Sequence, residues 1–279
     1  MSLPAKILAF TDMSARSDRA VRRAFELGRT HDLPVTVVSV LDDAMPGDLT
    51  GPLRDKARAE LNRLAEAEGN GVRSEIVVRV GDPTAELLAI GMADPDALVV
   101  MGIHRPRPFL DAMRETTMTR LVRRAGNPVL LVCQRPDAPY SRIIAATDFS
   151  PASTASLRLA HALCPDAGIR VLHALHVPYS GMLSHTGGRL TDIEQAFFKE
   201  AREQDARWRA DDTVPVGAGD TEIEIASPYI RLKAMADAGE IDLIAVGAHG
   251  RVGAAPALLG SLSIDLMRDP PCDILIARP

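Results

Sequence analysis

The sequence predicts an α/β protein made of two tandem doubly wound, Rossmann-like domains, each a five-stranded parallel sheet with about four helices, packed as a pseudo-dimer. Three observations predict it. Apolar runs of strand length alternate with helical stretches along the whole chain. Those runs are continuous rather than alternating, as strands covered on both faces require. The pattern also occurs twice: Lys6-Ile-Leu-Ala-Phe-Thr-Asp12-Met-Ser14 is echoed by Arg142-Ile-Ile-Ala-Ala-Thr-Asp148-Phe-Ser150, an offset of 136 (148 minus 12).

Taken in order, the first apolar run is 6–10, ended by Thr11-Asp12, and a helix over 14–30 follows from Ser14. The run 35–41 is the second strand, and the stretch 48–68, with its helical period, is the second helix. Strands over 74–80, 97–102 and 129–133 then alternate with helices over 84–93 and 112–125. The second half repeats the order, with strands near 142–147, 170–177, 222–226, 243–247 and 273–277. Its helices fit 151–163, 190–211, 228–238 and 261–268. The two domains are expected over 1–135 and 141–279. Between them Gln134-Arg-Pro-Asp-Ala-Pro-Tyr140 is a short linker that keeps the halves in contact.

Composition sets bounds on partners and location. The chain has 279 residues, 46% of them hydrophobic, enough for a core in each half. A net charge of −5 argues against a surface that neutralises nucleic-acid phosphates. No apolar run reaches the eighteen or so residues of a membrane span, and the apolar start before Asp12 is too short for a signal-peptide core. Cys133, Cys164 and Cys272 are scattered and odd in number, as in a reducing compartment, and none has the setting of a catalytic thiol. The expectation is a cytoplasmic protein with neither nucleic acid nor membrane as partner.

The most informative segment lies behind the fourth strand of the second half. Gly247-Ala-His-Gly250 is followed by nine residues and then Gly260-Ser261, which opens a helix. Glycines there let backbone N–H groups approach an oxyanion, through positive φ where the turn demands it, and the first amides of the helix point at the same place. Two tight turns with Gly260 as an ordinary helix boundary would give the same residues. Ligands of such sheets bind beyond the carboxyl ends of the strands, where Asp148, the loop after Val177 and the Gly247 loop converge.

On Asp148, the His176-Val177 strand end and the Gly-x-x-Gly-nine-residues-Gly-Ser run, the chain resembles the universal stress protein family, specifically its ATP-binding branch. The resemblance implies that Asp148 and the backbone at Val177 hold the adenine end of a nucleotide. Gly247 and Gly250 would line ribose and phosphates, and Gly260, Ser261 and the amide of Leu262 would take phosphate oxygens. The ligand implied is ATP, or ADP or AMP, with Mg²⁺ or Mn²⁺. The family's edge strands associate, which implies pairing of the two halves and leaves room for a homodimer. The partner protein and the stress signal are not encoded in any motif.

The first half departs from this pattern. Gly102-Ile-His-Arg105 puts arginine at the second glycine, and Glu115-Thr116 stands where glycine and serine should be. An empty or repurposed first site is expected, with Asp12 acting as an acceptor for the turn at Ser14. His249 and Arg251 lie in the glycine loop and either meet phosphate charge or sit at a solvated tip. His161, His173, His176 and His185 are close in sequence, but His173 and His176 are three apart on a strand and face opposite ways, so no metal site is expected. Phe197, Phe198 and Trp208 read as packing residues of a helix, and the run 178–188 as a lid or a surface insertion. Two functions remain: a nucleotide-binding stress or regulatory protein with no catalytic residue, or a slow ATP hydrolase or nucleotidyl transferase using the same cleft. The first is favoured, because no general base is evident and no Walker lysine follows Gly260.

Overall fold

The computed structural model describes residues 3–44, 46–103, 116–177, 192–211, 213–215, 217–249 and 259–279. In the first half β1 (Lys6–Phe10), β2 (Val35–Leu41), β3 (Ser74–Val80), β4 (Ala97–Gly102) and β5 (Val129–Val132) alternate with α1 (Ser17–His31), α2 (Gly47–Gly69), α3 (Pro83–Ala93) and α4 (Thr117–Arg124). The second half contains β6 (Arg142–Ala146), β7 (Gly168–Leu175), β8 (Thr221–Ile225), β9 (Leu243–Gly247) and β10 (Asp273–Ala277). Its described helices are α5 (Pro151–Leu163), α6 (Asp192–Arg209), α7 (Pro228–Asp237) and α8 (Ser261–Arg268). The expected alternation is present, and where both ends are described they coincide with the expected ones or differ by at most three residues. The expected start of α4 at 112 and the loop 178–188 lie outside the described residues.

The largest shift has a local cause. Helix α1 begins at Ser17 rather than Ser14 because Thr11 and Asp12 draw the intervening residues into a turn. Thr11 Oγ1 accepts from the Met13 amide at 2.9 Å and Asp12 Oδ1 from the Ser14 amide at 3.0 Å, with Met13 left-handed at φ 60°. Side chains that satisfy their own backbone in this way compete with the helix. Later helices start cleanly: Asp82 accepts from the Ala85 amide at 2.7 Å ahead of Pro83, and Ser150 from Ser153 at 3.3 Å ahead of Pro151.

Alternation along the strands sorts the core into two layers. In β1, Ile7 and Ala9 join one buried cluster and Leu8 and Phe10 the other; in β6, Ile143 and Ala145 separate from Ile144 and Ala146 in the same way. Helix α1 supplies Val21, Ala24 and Phe25 to the first layer, and α4 supplies Leu121 and Val122 to the second. Each cluster contains residues of both halves, so neither layer stops at the linker.

The reason is the sheet order, β3-β2-β1-β4-β5-β10-β9-β6-β7-β8. All pairings are parallel except one. Strands β5 and β10 pair antiparallel, with Ile274 against Leu131, Leu275 against Leu130 and Ile276 against Val129. Pairing equivalent strands head to tail is what a two-fold relation between repeats produces, and it merges two five-stranded sheets into one of ten. The edges that would otherwise invite foreign strands become the centre.

A buried polar cluster pins this seam. Asp273, 1% exposed, accepts at Oδ1 from the Cys133 and Gln134 amides at 2.7 and 2.9 Å and at Oδ2 from Tyr140 Oη at 2.5 Å. Arg23 of α1 lies over the Tyr140 ring at 4.0 Å, pairs with Glu26 and donates to the Ala138 carbonyl. Arg278 donates to the Val122 and Arg123 carbonyls at the end of α4, and His31 bonds the Leu163 carbonyl across the halves. Cys164 and Cys272 are buried and Cys133 partly so, and desolvation pushes the Cys164 thiol up to about 12 and those of Cys133 and Cys272 further still.

Asp273→Ala leaves three donors without an acceptor and should cost about 3 kcal/mol in urea unfolding. Burial pushes the Asp273 carboxyl up, against the bonds from Tyr140, Gln134 and Cys133 that pull it down. The folded protein therefore holds this proton better than the unfolded chain, so the group's contribution is full below the unfolded value and fades as pH rises through the folded one. As pH rises above the ordinary aspartate value of about 4, the stability difference between wild type and Asp273→Asn should move in favour of the variant.

Candidate functional site

Beyond the carboxyl ends of the strands, each half has a cavity near the point where its strand order reverses, between β6 and β9 and between β1 and β4. The floor is built by the repeated strand-end turn. In the second half Thr147 Oγ1 accepts from the Phe149 amide at 2.9 Å and Asp148 Oδ1 from the Ser150 amide at 3.1 Å, with Phe149 at φ 63°. This is the geometry of Thr11 to Ser14, so Asp12 and Asp148 both hold the turn that aims the following helix. The reading of Asp12 as a turn acceptor agrees with this, and Asp148 has the same duty.

The second-half cavity holds about 220 Å³. Asp148, Gly247, His249, Gly260, Ser261 and Leu262, from three separate stretches of chain, all line it. Val177 does not line it; two residues past β7, it is buried with Leu175 and Ala201 against Phe197 and Phe198. Gly250 and Arg251 lie outside the described residues. The sequence reading missed His173 and Ser263. His173 also faces the cavity, donates from Nδ1 to the Thr147 carbonyl at 2.7 Å and stacks on Phe149 at 4.4 Å. Its signal was its place on the strand beside the one ending at Asp148. Ser263 Oγ donates to the Gly247 carbonyl at 2.8 Å and ties α8 to β9.

Gly247 serves a different purpose from the one its spacing suggested. It is absent from the positive-φ glycines, and Gly260 has φ −66°. A Cβ on Gly247 would lie 2.7 Å from the carbonyl carbon of Ala152 and from the Ser153 amide. The glycine lets the first turn of α5 press against the end of β9. Gly102 does the same in the first half, where a Cβ would approach Ser17 Cα at 3.0 Å. Both glycines therefore answer to helix-on-strand packing, one of the roles of glycine in doubly wound folds.

Around the second-half cavity two kinds of donor are unmet. Helix α8 has Gly260 as its N-cap and no side chain capping it, while the Gly260 amide bonds the Ala248 carbonyl at 2.9 Å and fixes the loop end. His249 Nδ1 is buried and has no hydrogen-bond partner among the described residues. A buried unmet donor or acceptor is costly, and an uncapped helix start is a place where an anion binds.

The first-half cavity is larger, about 380 Å³, and its helix end is closed. Thr116 is the N-cap of α4 and its Oγ1 accepts from the Thr119 amide at 3.2 Å. In the repeat register Thr116 corresponds to Ser261; Arg105 and Glu115 lie outside the described residues. Among the described residues, no group of three or more His, Cys, Asp or Glu is placed to hold a metal ion. None of the described helices is long and apolar enough to cross a membrane. Trp208 and Phe149 pack at 5.6 Å, and Trp208 Nε1 donates to Thr154 Oγ1, so the aromatic residues of α6 are packing residues as expected.

The family model described as "Universal stress protein family" matches residues 5–132 and again 139–278. A universal stress protein of Mycolicibacterium smegmatis is 26% identical over 293 aligned positions, covering 98% of this chain and 97% of the relative. One from Mycobacterium tuberculosis is 24% identical, covering 100% and 99%. In fold, the crystal structure of a universal stress protein from Archaeoglobus fulgidus superposes with a TM-score of 0.72 at 16% identity, covering 99% of this chain and 97% of that one. A functionally unknown protein from Pseudomonas aeruginosa gives 0.65 at 19% identity, covering 99% and 93%.

Gly247→Ala should destabilise the protein by about 2 kcal/mol through overpacking against α5, and by more than Gly102→Ala, whose contacts are longer. Urea midpoints of the two variants make the comparison. A Gly247→Ala protein as stable as wild type would mean that α5 is not seated against β9 as described.

Proposed function

The chain belongs to the universal stress protein family, and on that footing we propose that it is an adenine-nucleotide-binding stress-response or regulatory protein, with the ligand in the second-half cavity. The observation that carries this reading is the first turn of α8, which lines that cavity with no side-chain cap among the described residues, with His249 in the same lining. An uncapped helix start carries about half a positive charge, and its amides point outward to an acceptor. In the first half Thr116 caps the corresponding helix through the Thr119 amide and so competes with an anion there.

The orientation follows from charge. The phosphates of ATP, ADP or AMP lie against Gly260, Ser261 and the Leu262 amide, with His249 donating to a phosphate oxygen. The base lies toward Asp148, whose carboxylate accepts from an exocyclic amine and repels phosphate. Ser263 does not contact the ligand; by holding α8 to the Gly247 carbonyl it keeps the helix aimed. A divalent cation bound with the nucleotide would neutralise phosphate charge that one helix end and one imidazole leave uncompensated. Gly250, Arg251 and the Val177 backbone remain proposed ligand contacts on the strength of the family resemblance alone.

Gly260→Asp tests the reading with the fold preserved, because aspartate at an N-cap caps the helix well while filling the anion's place with a carboxylate. The wild-type protein should carry or take up about one adenine nucleotide per chain, and the variant should bind at least tenfold more weakly by calorimetry. Equal binding by the two proteins would refute the site. Multiple-turnover phosphate release that disappears in the same variant would instead establish the hydrolase reading.

A further inference from the structure

The first-half cavity differs from its counterpart in size, lining and charge. At about 380 Å³ it falls within the roughly 300–1,000 Å³ of small-molecule sites. Val40, Leu87, Met101, Ile103 and Met118 give it apolar walls, and methionine adapts readily to varied shapes.

Its hydroxyl groups are already engaged with one another. Thr11 Oγ1 donates to Ser17 Oγ at 2.8 Å, the Thr117 and Thr84 hydroxyls meet at 2.8 Å, and those of Thr116 and Thr119 at 2.9 Å. Asp12 is different. Its Oδ1 takes both the Ser14 amide and, at 2.7 Å, the Ser17 hydroxyl, whereas Oδ2 has no partner among the described residues. Burial would raise this carboxyl, but the bonds from Ser14 and Ser17 outweigh it and hold the group below the usual range, so it is ionised at neutral pH. No Arg, Lys or His is among the described lining residues; the first residues of α1, α3 and α4 all line the cavity, with Asp82 capping α3 and Thr116 capping α4.

We infer that the first-half cavity is a second binding site, built for a small organic amine with an apolar body and not for an anionic nucleotide. The ammonium donates to Asp12 Oδ2 in a charge-assisted bond, and the body displaces water from Leu87, Met101 and Met118. A phosphate in the same place would face the Asp12 carboxylate with no cationic side chain among the described lining residues to offset it.

Methionine-methyl labelling makes the test direct, since Met101 and Met118 both line the cavity. Phenylpropylamine should shift both methyl resonances saturably in the millimolar range, and phenylpropanoate should bind at least about tenfold more weakly. In Asp12→Asn the amide oxygen still accepts from Ser14 and Ser17, so the turn persists; the preference for the amine should vanish while weak apolar binding remains. Leu87→Trp should fill the cavity and abolish the response. Equal binding of the acid and the amine, an amine preference that survives Asp12→Asn, ATP moving these two methyls, or no response to the amine would each overturn the proposal. None of these outcomes bears on the second-half cavity, whose lining shares no residue with this one.

Discussion

The antiparallel pairing of β5 with β10 is the constraint from which the rest of the molecule follows. A parallel five-stranded sheet on its own exposes an edge beside its most apolar strands, and here the two such edges cover each other. Once they are paired, the layers on either face run through both halves, and the seam must accommodate whatever polar groups the crossing strands carry. Asp273 is the group that results. It is buried in a central strand and tolerable only because two amides and a tyrosine hydroxyl converge on it. Tyr140 comes from the linker, so the short connection between repeats is itself part of the seam.

The same pairing leaves the two ligand-sized cavities on separate halves, free to diverge. Both keep the strand-end turn, because it directs the helix that packs on the sheet, and both keep the glycine that lets that helix approach the fourth strand. What differs is the start of the last helix. Thr116 caps it with its hydroxyl in one half, whereas in the other the N-cap position falls to Gly260, which has no side chain to cap with. The two halves thus share a scaffold while the rims of their cavities differ.

Several features were legible because they depend on local pattern. Continuous apolar strands, their alternation with helices and the internal repeat gave the α/β class and the two halves. The strand-end aspartates, the histidine in the glycine loop and the Gly260-Ser261 helix start were readable too, since doubly wound sheets bring strand ends together. Helix α1 was placed three residues early because Thr11 and Asp12 hold a turn that looks, in one dimension, like a helix start. His173 was weighed only as a metal ligand, since nothing local says which strand neighbours which.

Gly247 marks the boundary between the two kinds of information most clearly. The sequence determined that a residue without a Cβ ends β9, and that α8 begins without a capping side chain. Only the tertiary structure decided why: α5, about a hundred residues earlier in the chain, lies so close that a methyl group would meet its backbone at 2.7 Å. Spacing reports backbone conformation and side-chain period, which act over a few residues. Close approach between elements and the burial of Asp273 arise from packing across the fold, which no local pattern encodes.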